Sequence, residues 1–419
     1  MKKSAGPSTI KGTIKAPASK SMMQRAIAAA LLTETPTRLL NPTYSEDSRA
    51  ALSVIRRLGA TVEEKKHEIR VHCPGGMKPT GEILHCGESG LGIRMFSCIA
   101  ALCPEELTLT GKGSLLKRPV SMIELPLKEL DVGVTTSSGY PPLIVKGPLK
   151  GGTAHVDGSV SSQVLTGLLM ALPRAPENSQ LYVKNLKSTP YIDMTLALLE
   201  VFGVEVQHTD YETFFIKGSQ TYSIDEYDVE GDWSGASFLL VAGAVGGSVT
   251  VTNLDINSPQ ADRRIIDALK AAGANVKMYR NIVKVEKGEL CAFQFDATHC
   301  PDLFPPLVVL ACNCKGTSLI RGVERLIHKE SNRAMVLQKE FTALGGVIRI
   351  NGNQMEIDGK KLKGGTIYSH NDHRIAMAGA VAAINAESGV IIKDYECVAK
   401  SYPIFFEDFR AIGGEVNEL

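Results

Sequence analysis

The sequence carries almost no net charge: 46 Lys plus Arg stand against 45 Asp plus Glu, leaving +1 at neutral pH. No global basic field draws it to nucleic acid or an anionic lipid surface, so any anion site must be built locally. Long apolar runs are also missing. The longest, such as Leu303 to Cys312, fall well short of the about 20 residues that cross a bilayer. The basic start Met1-Lys-Lys leads into no signal-peptide core, and we expect a cytoplasmic protein without a membrane partner. The nine cysteines are odd in number and include no C-x-x-C pair, which argues for reduced thiols over a disulfide framework or a zinc site. The familiar cofactor and hydrolase signatures are absent as well. There is no G-x-x-x-x-G-K-S/T loop, Gly111-Lys-Gly113 does not extend to G-x-G-x-x-G, and neither H-E-x-x-H nor G-x-S-x-G occurs.

What the sequence does contain is a repeat. An apolar residue plus Gly, closing an amphipathic stretch, recurs at Gly59, Gly133, Gly203, Gly273, Gly345 and Gly413, with gaps of 74, 70, 70, 72 and 68 residues. Gly suits the left-handed position just past a helix, so each marks a helix end followed by a strand. Two further landmarks keep the same phase. Polar starts on strongly apolar helices occur at Ser19-Lys20-Ser21, Glu88-Ser89-Gly90, Ser161-Ser162-Gln163, Asp232-Trp233-Ser234, Pro301-Asp302 and Asp372-His373-Arg374. Loops opening a more amphipathic helix occur near Glu46, Lys117-Arg118, Ser188 to Tyr191, Asp262, Lys329 to Arg333 and Lys400. With strand-like runs between them, each unit reads as strand, buried helix, strand, surface helix, strand, strand.

Six βαβαββ units in 419 residues fit two lobes of three. The sixth unit ends without its last strand, while an unassigned strand, Thr9 to Ile14, precedes the first helix. We therefore expect the N-terminal strand to complete the C-terminal lobe, giving an N-terminal lobe of residues 16–229 and a C-terminal lobe of 230–419 plus 1–15.

Helix N-termini favour anions, and Ser, Asp or Asn there are ordinarily caps. Cations are not: Lys20, Arg118, Lys329, Arg333, Arg374 and Lys400 oppose the helix dipole, and such local conflict often marks function. Asp302 and Glu330 stand out among the acids, because a carboxylate among cations stays ionised and can accept a proton. His373 reads equally as a proton carrier or a capping residue.

Taken in order, Ser19-Lys20-Ser21 with Arg25, Asp157-Gly-Ser-Val-Ser-Ser-Gln163, Lys329-Glu-Ser-Asn-Arg333, Asn371-Asp-His-Arg374 and Ala399-Lys-Ser-Tyr-Pro403 resemble the 5-enolpyruvylshikimate-3-phosphate synthase (3-phosphoshikimate 1-carboxyvinyltransferase) family. The resemblance covers nearly the whole chain. It implies an α/β fold of two similar lobes, each an inside-out α/β barrel of three units, and transfer of the enolpyruvyl group of phosphoenolpyruvate to the 5-hydroxyl of shikimate 3-phosphate, with phosphate released and no cofactor or metal. By motif, Ser21, Arg25, Ser161, Ser162, Gln163, Ser188, Tyr191 and Lys329 would hold shikimate 3-phosphate. Lys20, Gly90, Arg118, Arg333, Arg374 and Lys400 would hold phosphoenolpyruvate, with Gln163 reaching both. Asp302 would take the hydroxyl proton, and Glu330, assisted by Lys20, would exchange a proton with the methylene carbon. The cations should repel one another until a doubly charged phosphate arrives.

Four positions depart from the usual pattern: Glu88 and Leu91 around Gly90, Arg325 for a usual Asn, and Asn332 for a usual Asp. A carboxylate at Glu88 disfavours an anion unless a cation such as Arg94 pairs with it. One rival is the related transferase acting on UDP-N-acetylglucosamine, but its loop cysteine is replaced by Ser114-Leu115 and its Lys-Asn start by Lys20-Ser21. Another is an anion-binding scaffold that kept the fold without the activity. A monomer is the expectation, since the repeat leaves no spare apolar element.

Overall fold

The computed structural model describes residues 1–327 and 329–419, and these form two compact units: Lys20–Val229, and Met1–Ser19 with Glu230–Leu419. Among the described residues lie six four-stranded sheets, three in each unit. The third repeat gives the pattern. Gly152–Asp157 runs parallel to Ser179–Lys184, which pairs antiparallel with Thr213–Ile216, whose hairpin partner is Val206–Thr209. A parallel pair needs a crossover, and the helix Gln163–Ala171 supplies it.

All six helices read as buried are present: Lys20–Leu31, Gly90–Ala100, Gln163–Ala171, Trp233–Gly246, Phe304–Cys312 and His373–Ala382. Apolar side chains surround each of them, so they sit inside while the sheets face outward. In the second unit the three buried helices pack on one another. In the first, Gly167 lets Gln163–Ala171 approach Gly90–Ala100 so closely that a Cβ would lie 2.9 Å from the Arg94 carbonyl.

Three strands sit out of sequence order. Glu226–Asp228 opens the sheet of the first repeat beside Thr37–Leu40. Ile10–Lys15 opens that of the fourth beside Gly247–Thr252. The strand missing from the sixth repeat is neither of these but Lys2–Gly6, which lies between Val390–Lys393 and Glu415–Glu418. It carries no apolar alternation because Lys3 occupies an inward position, its ammonium 4.6 Å from the Tyr395 ring centre and 2.8 Å from Glu418 Oε1.

The units divide between Ser19 and Lys20 rather than at residue 16. The reason is a short run of backbone bonds: Ala16 N–H to Thr252 O, Asp232 N–H to Pro17 O and Ser19 N–H to Glu230 O tie 16–19 to the second unit. The glycine signal also needs one correction. Five of the six repeat glycines have positive φ, but Gly133 does not, and Asp131 takes the left-handed position at φ 57° instead.

Candidate active site

In the unit Lys20–Val229, the site residues gather at the starts of the three buried helices. Lys20 is the first helical residue, and its cation is held against the dipole by Asp47, 3.1 Å away. One turn on, Arg25 is buried. It donates from Nη1 to the Ser21 carbonyl (2.9 Å), from Nη2 to the Tyr191 carbonyl (3.1 Å) and from Nε to Thr195 Oγ1 (3.0 Å). Burial lowers its pKa to about 10. One guanidinium thus fixes the backbones of Ser21 and Tyr191, two positions 170 residues apart in sequence.

Gly90 begins the second helix, and the Arg118 guanidinium lies against it: a Cβ at Gly90 would be 2.9 Å from its central carbon. Arg94, one turn further, donates to Gln163 Oε1 (2.6 Å) and to the Pro119 carbonyl (2.7 Å). It thereby orients both Gln163 and the Arg118-Pro119 segment. Burial first, and Arg118 second, pull its pKa down to about 9. Glu88 accepts from the Ser114 backbone N–H (2.9 Å) and hydroxyl (2.7 Å). At the third helix the Ser161 hydroxyl accepts from the Gln163 N–H at 3.2 Å, whereas buried Ser162 makes no side-chain capping bond. Ser188 is also buried, its φ of 62° bending the chain into Tyr191.

The unit Met1–Ser19 with Glu230–Leu419 holds a denser cluster. Arg333, the first residue of the helix Arg333–Ala343, has no exposed side-chain surface, and carboxylates surround it. Its Nη1 donates to Asp302 Oδ1 (2.8 Å), its Nη2 to Glu330 Oε2 (2.7 Å) and its Nε to Asp372 Oδ2 (2.9 Å). Asp302 is the hub. It also meets Lys329 Nζ and Arg374 Nη2, each at 3.1 Å. Burial opposes its charge, but Arg374, Lys329 and Arg333 outweigh burial and hold its carboxyl well below the usual range. The pKa of Lys329 is lowered as well, toward the neutral amine: burial lowers it, Asp302 offsets part of that, and Arg333 and Arg325 oppose its charge further.

Three cations therefore face three carboxylates, whose charge-assisted bonds offset the repulsion that Arg333 exerts on Lys329 and Arg374. Arg374 donates further to His373 Nε2 and to Ser234 Oγ. Lys400 is buried, with Nζ 2.8 Å from the Asn371 carbonyl. It closes a 3₁₀ turn, Tyr395–Lys400, and does not open a helix. Arg118 likewise follows the 3₁₀ turn Gly113–Lys117. Of the four departures, Asn332 caps Arg333–Ala343 as an Asp would.

Three contributors escape the sequence reading. Asp372 looks like a simple cap, and it does accept from the Arg374 N–H at 3.0 Å, but it also holds Arg333. Ser234 and Asp262 belong to the fourth repeat, whose helix starts read as structural, yet Ser234 bonds Arg374 and Asp262 interacts with Asp302. The signal is the period itself: Ser234, Asp302 and Arg374 hold matching places in successive repeats.

The family model for EPSP synthase (3-phosphoshikimate 1-carboxyvinyltransferase) matches residues 4–409. A 3-phosphoshikimate 1-carboxyvinyltransferase of Clostridium novyi is 38% identical over 423 residues, covering 98% of this chain and 97% of the relative. One of Methanocorpusculum labreanum is 36% identical over 425 residues, covering all of both. The solved EPSP synthase of Acinetobacter baumannii superposes with a TM-score of 0.85 at 26% identity, again over the full length of both chains. With six matching repeats, the motif blocks in order and relatives alike from end to end, this chain belongs to the EPSP synthase family.

Proposed function

We propose that the protein transfers the enolpyruvyl group of phosphoenolpyruvate to the 5-hydroxyl of shikimate 3-phosphate and releases phosphate. Family membership supports the overall reaction, and the observation that carries the mechanism is Asp302 held by Lys329, Arg333 and Arg374 at once. In that setting Asp302 is ionised but a weak base. An arriving phosphate and carboxylate compete for Lys329 and Arg374, and each cation drawn away raises the proton affinity of Asp302. The base thus strengthens when substrate is present, and it takes the hydroxyl proton as that oxygen adds to C2 of the enolpyruvyl group.

Glu330, first protonated with the assistance of Lys20, gives that proton to the methylene carbon, making C2 electrophilic, and takes one back from the resulting methyl as phosphate leaves with the hydroxyl proton passed on by Asp302. Lys20, Gly90, Arg118, Arg374 and Lys400 are the phosphoenolpyruvate contacts, and their charges stabilise the anionic intermediate. Ser21, Ser161, Ser162, Gln163, Ser188, Tyr191 and Lys329 take shikimate 3-phosphate, with Arg25 bracing two of them from behind. Arg333 we assign a different part from direct anion binding: its donors already serve Asp302, Glu330 and Asp372, so it fixes the two reacting carboxylates in place.

Phosphate release from phosphoenolpyruvate in the presence of shikimate 3-phosphate tests the reading. Turnover with that pair is the expected result. Turnover only with UDP-N-acetylglucosamine would replace it by the related transferase, and none with either acceptor by a scaffold. A finer test uses Gly90→Ala. The new methyl displaces the Arg118 guanidinium, so KM for phosphoenolpyruvate should rise about tenfold or more while KM for shikimate 3-phosphate holds. Equal changes in both constants would remove Arg118 from the phosphoenolpyruvate site.

A further inference from the structure

The helix that begins with Arg333 grips the chain leading to Arg374 at two points. Arg333 and Glu340 stand seven residues apart in Arg333–Ala343, two turns along one face. The first holds Asp372. The second, 2% exposed, accepts from the Tyr368 N–H at Oε2 (2.9 Å), and its Oε1 lies 2.7 Å from His370 Nε2. A carboxylate offers only acceptors, so His370 gives the proton in that bond. The mechanism uses neither Glu340 nor His370.

Between the two grips the chain turns from the strand Gly365–Tyr368 into the helix His373–Ala382. His370 and Asn371 both have positive φ, 52° and 59°. Two successive left-handed residues other than Gly are strained, and they persist only where the surroundings over-determine them. Ser369 Oγ accepts from the Asn371 N–H (3.1 Å) and donates to the Asp394 carbonyl (2.9 Å), while Glu340 fixes the residues on either side of Ser369. What the turn delivers is the Asn371 carbonyl, 2.8 Å from the buried Lys400 ammonium.

We infer that Glu340 is a positioning residue: by gripping the Tyr368 N–H and the His370 imidazole it holds the left-handed turn whose carbonyl sets the Lys400 ammonium where it meets phosphoenolpyruvate. The inference rests on the assignment of Lys400 to that substrate. Asp372 is secured by Arg333 independently, so loosening the Glu340 grip displaces His370, Asn371 and Lys400 while Asp302 keeps its own bond to Arg333. Apart from Lys329, the residues assigned to shikimate 3-phosphate belong to Lys20–Val229 and stay untouched.

The test measures kcat/KM for phosphoenolpyruvate and KM for shikimate 3-phosphate, with thermal unfolding alongside, in variants at 340, 370 and 400. Glu340→Ala should lose about tenfold in kcat/KM for phosphoenolpyruvate and His370→Ala about fivefold, while KM for shikimate 3-phosphate stays within about twofold. Glu340→Gln should restore most of the loss, because its oxygen accepts from the Tyr368 N–H and its amide donates to the other tautomer of His370. His370→Gly should be milder than His370→Ala, since Gly takes a positive φ without being held. Once Lys400→Ala is in place, adding Glu340→Ala or His370→Ala should cost no more than about twofold. The inference is overturned if Glu340→Ala and His370→Ala both stay within about twofold of the parent, if both substrates suffer in parallel, if Glu340→Gln recovers nothing, if His370→Gly fares no better than His370→Ala, or if the losses are as large without Lys400 as with it. The His370 side chain is 31% exposed, so its variants decide the matter even where Glu340→Ala does not fold. Lys400→Ala alone separates the two readings: unchanged phosphoenolpyruvate kinetics there refutes the assignment of Lys400, whereas a sensitive Lys400 with insensitive Glu340 and His370 refutes the positioning role alone.

Discussion

Replacing Asp302 by Ala should lower the rate of phosphate release at saturating substrates by about 10²- to 10⁴-fold, the range associated with loss of a positioned general base. The effect should appear in kcat, because Asp302 is needed when the hydroxyl loses its proton. Asp302→Asn is the sharper variant. It preserves shape and can still accept from Arg333, yet it has no charge to offer Lys329 and Arg374 and no capacity for a proton. Both variants should bind phosphoenolpyruvate at least as well as the parent, since a competitor for the cations has gone. Near-parental turnover in Asp302→Ala would remove it as the base, however well placed it is.

The largest effect on stability is expected from Arg333→Ala. Without the guanidinium, Asp302, Glu330 and Asp372 remain close together with their common partner gone, and breaking a buried ion network from one side costs about 3–5 kcal/mol. Thermal unfolding should begin several degrees lower in the unit Met1–Ser19 with Glu230–Leu419, with Lys20–Val229 little affected. The sign of the pH dependence follows from the acids left behind. Their mutual repulsion raises their pKa values, protonation relieves it, and the deficit should be smaller at pH 5 than at pH 8. Arg333→Lys should recover little, because one ammonium cannot serve three carboxylates through a planar fork. An unfolding curve that overlays the parent would show the cluster to be dispensable for folding.

Most of the architecture was legible because independent landmarks stayed in phase. A buried helix start, a surface helix start and a helix-ending Gly each recurred, and the strands fell between them. What escaped were positions where a residue does the work of another type. Lys3 fills an inward place with its methylene stem, so Lys2–Gly6 carried no strand pattern. Asp131 adopts the backbone that Gly133 was expected to adopt. The site followed a similar line. Cations at helix starts were conspicuous because they oppose the dipole, and Lys20, Arg333 and Arg374 are indeed in first turns. Which acid neutralises which cation was not, since Asp47, Asp302 and Asp372 lie 27, 31 and 39 residues from the cations they hold, distances that only the fold closes. Arg94 was hidden for a different reason: a buried Arg inside an apolar helix looks like an exception to a hydrophobic pattern until its acceptors, Gln163 and the Pro119 carbonyl, are seen.

The displaced strands also set a timetable for biosynthesis. Every strand of the three sheets in Lys20–Val229 lies within that stretch, so the unit has all its pieces once Glu226–Asp228 leaves the ribosome. The other unit needs both ends of the chain: Lys2–Gly6 and Ile10–Lys15 are made first, but their partners are Gly247–Thr252, Val390–Lys393 and Glu415–Glu418. From residue 229 to 419 is 190 residues, or about 10–40 s of synthesis at bacterial to slower rates. During that interval the leading segment waits unpaired beside a finished neighbour, and the cluster around Arg333 assembles only at the end of translation.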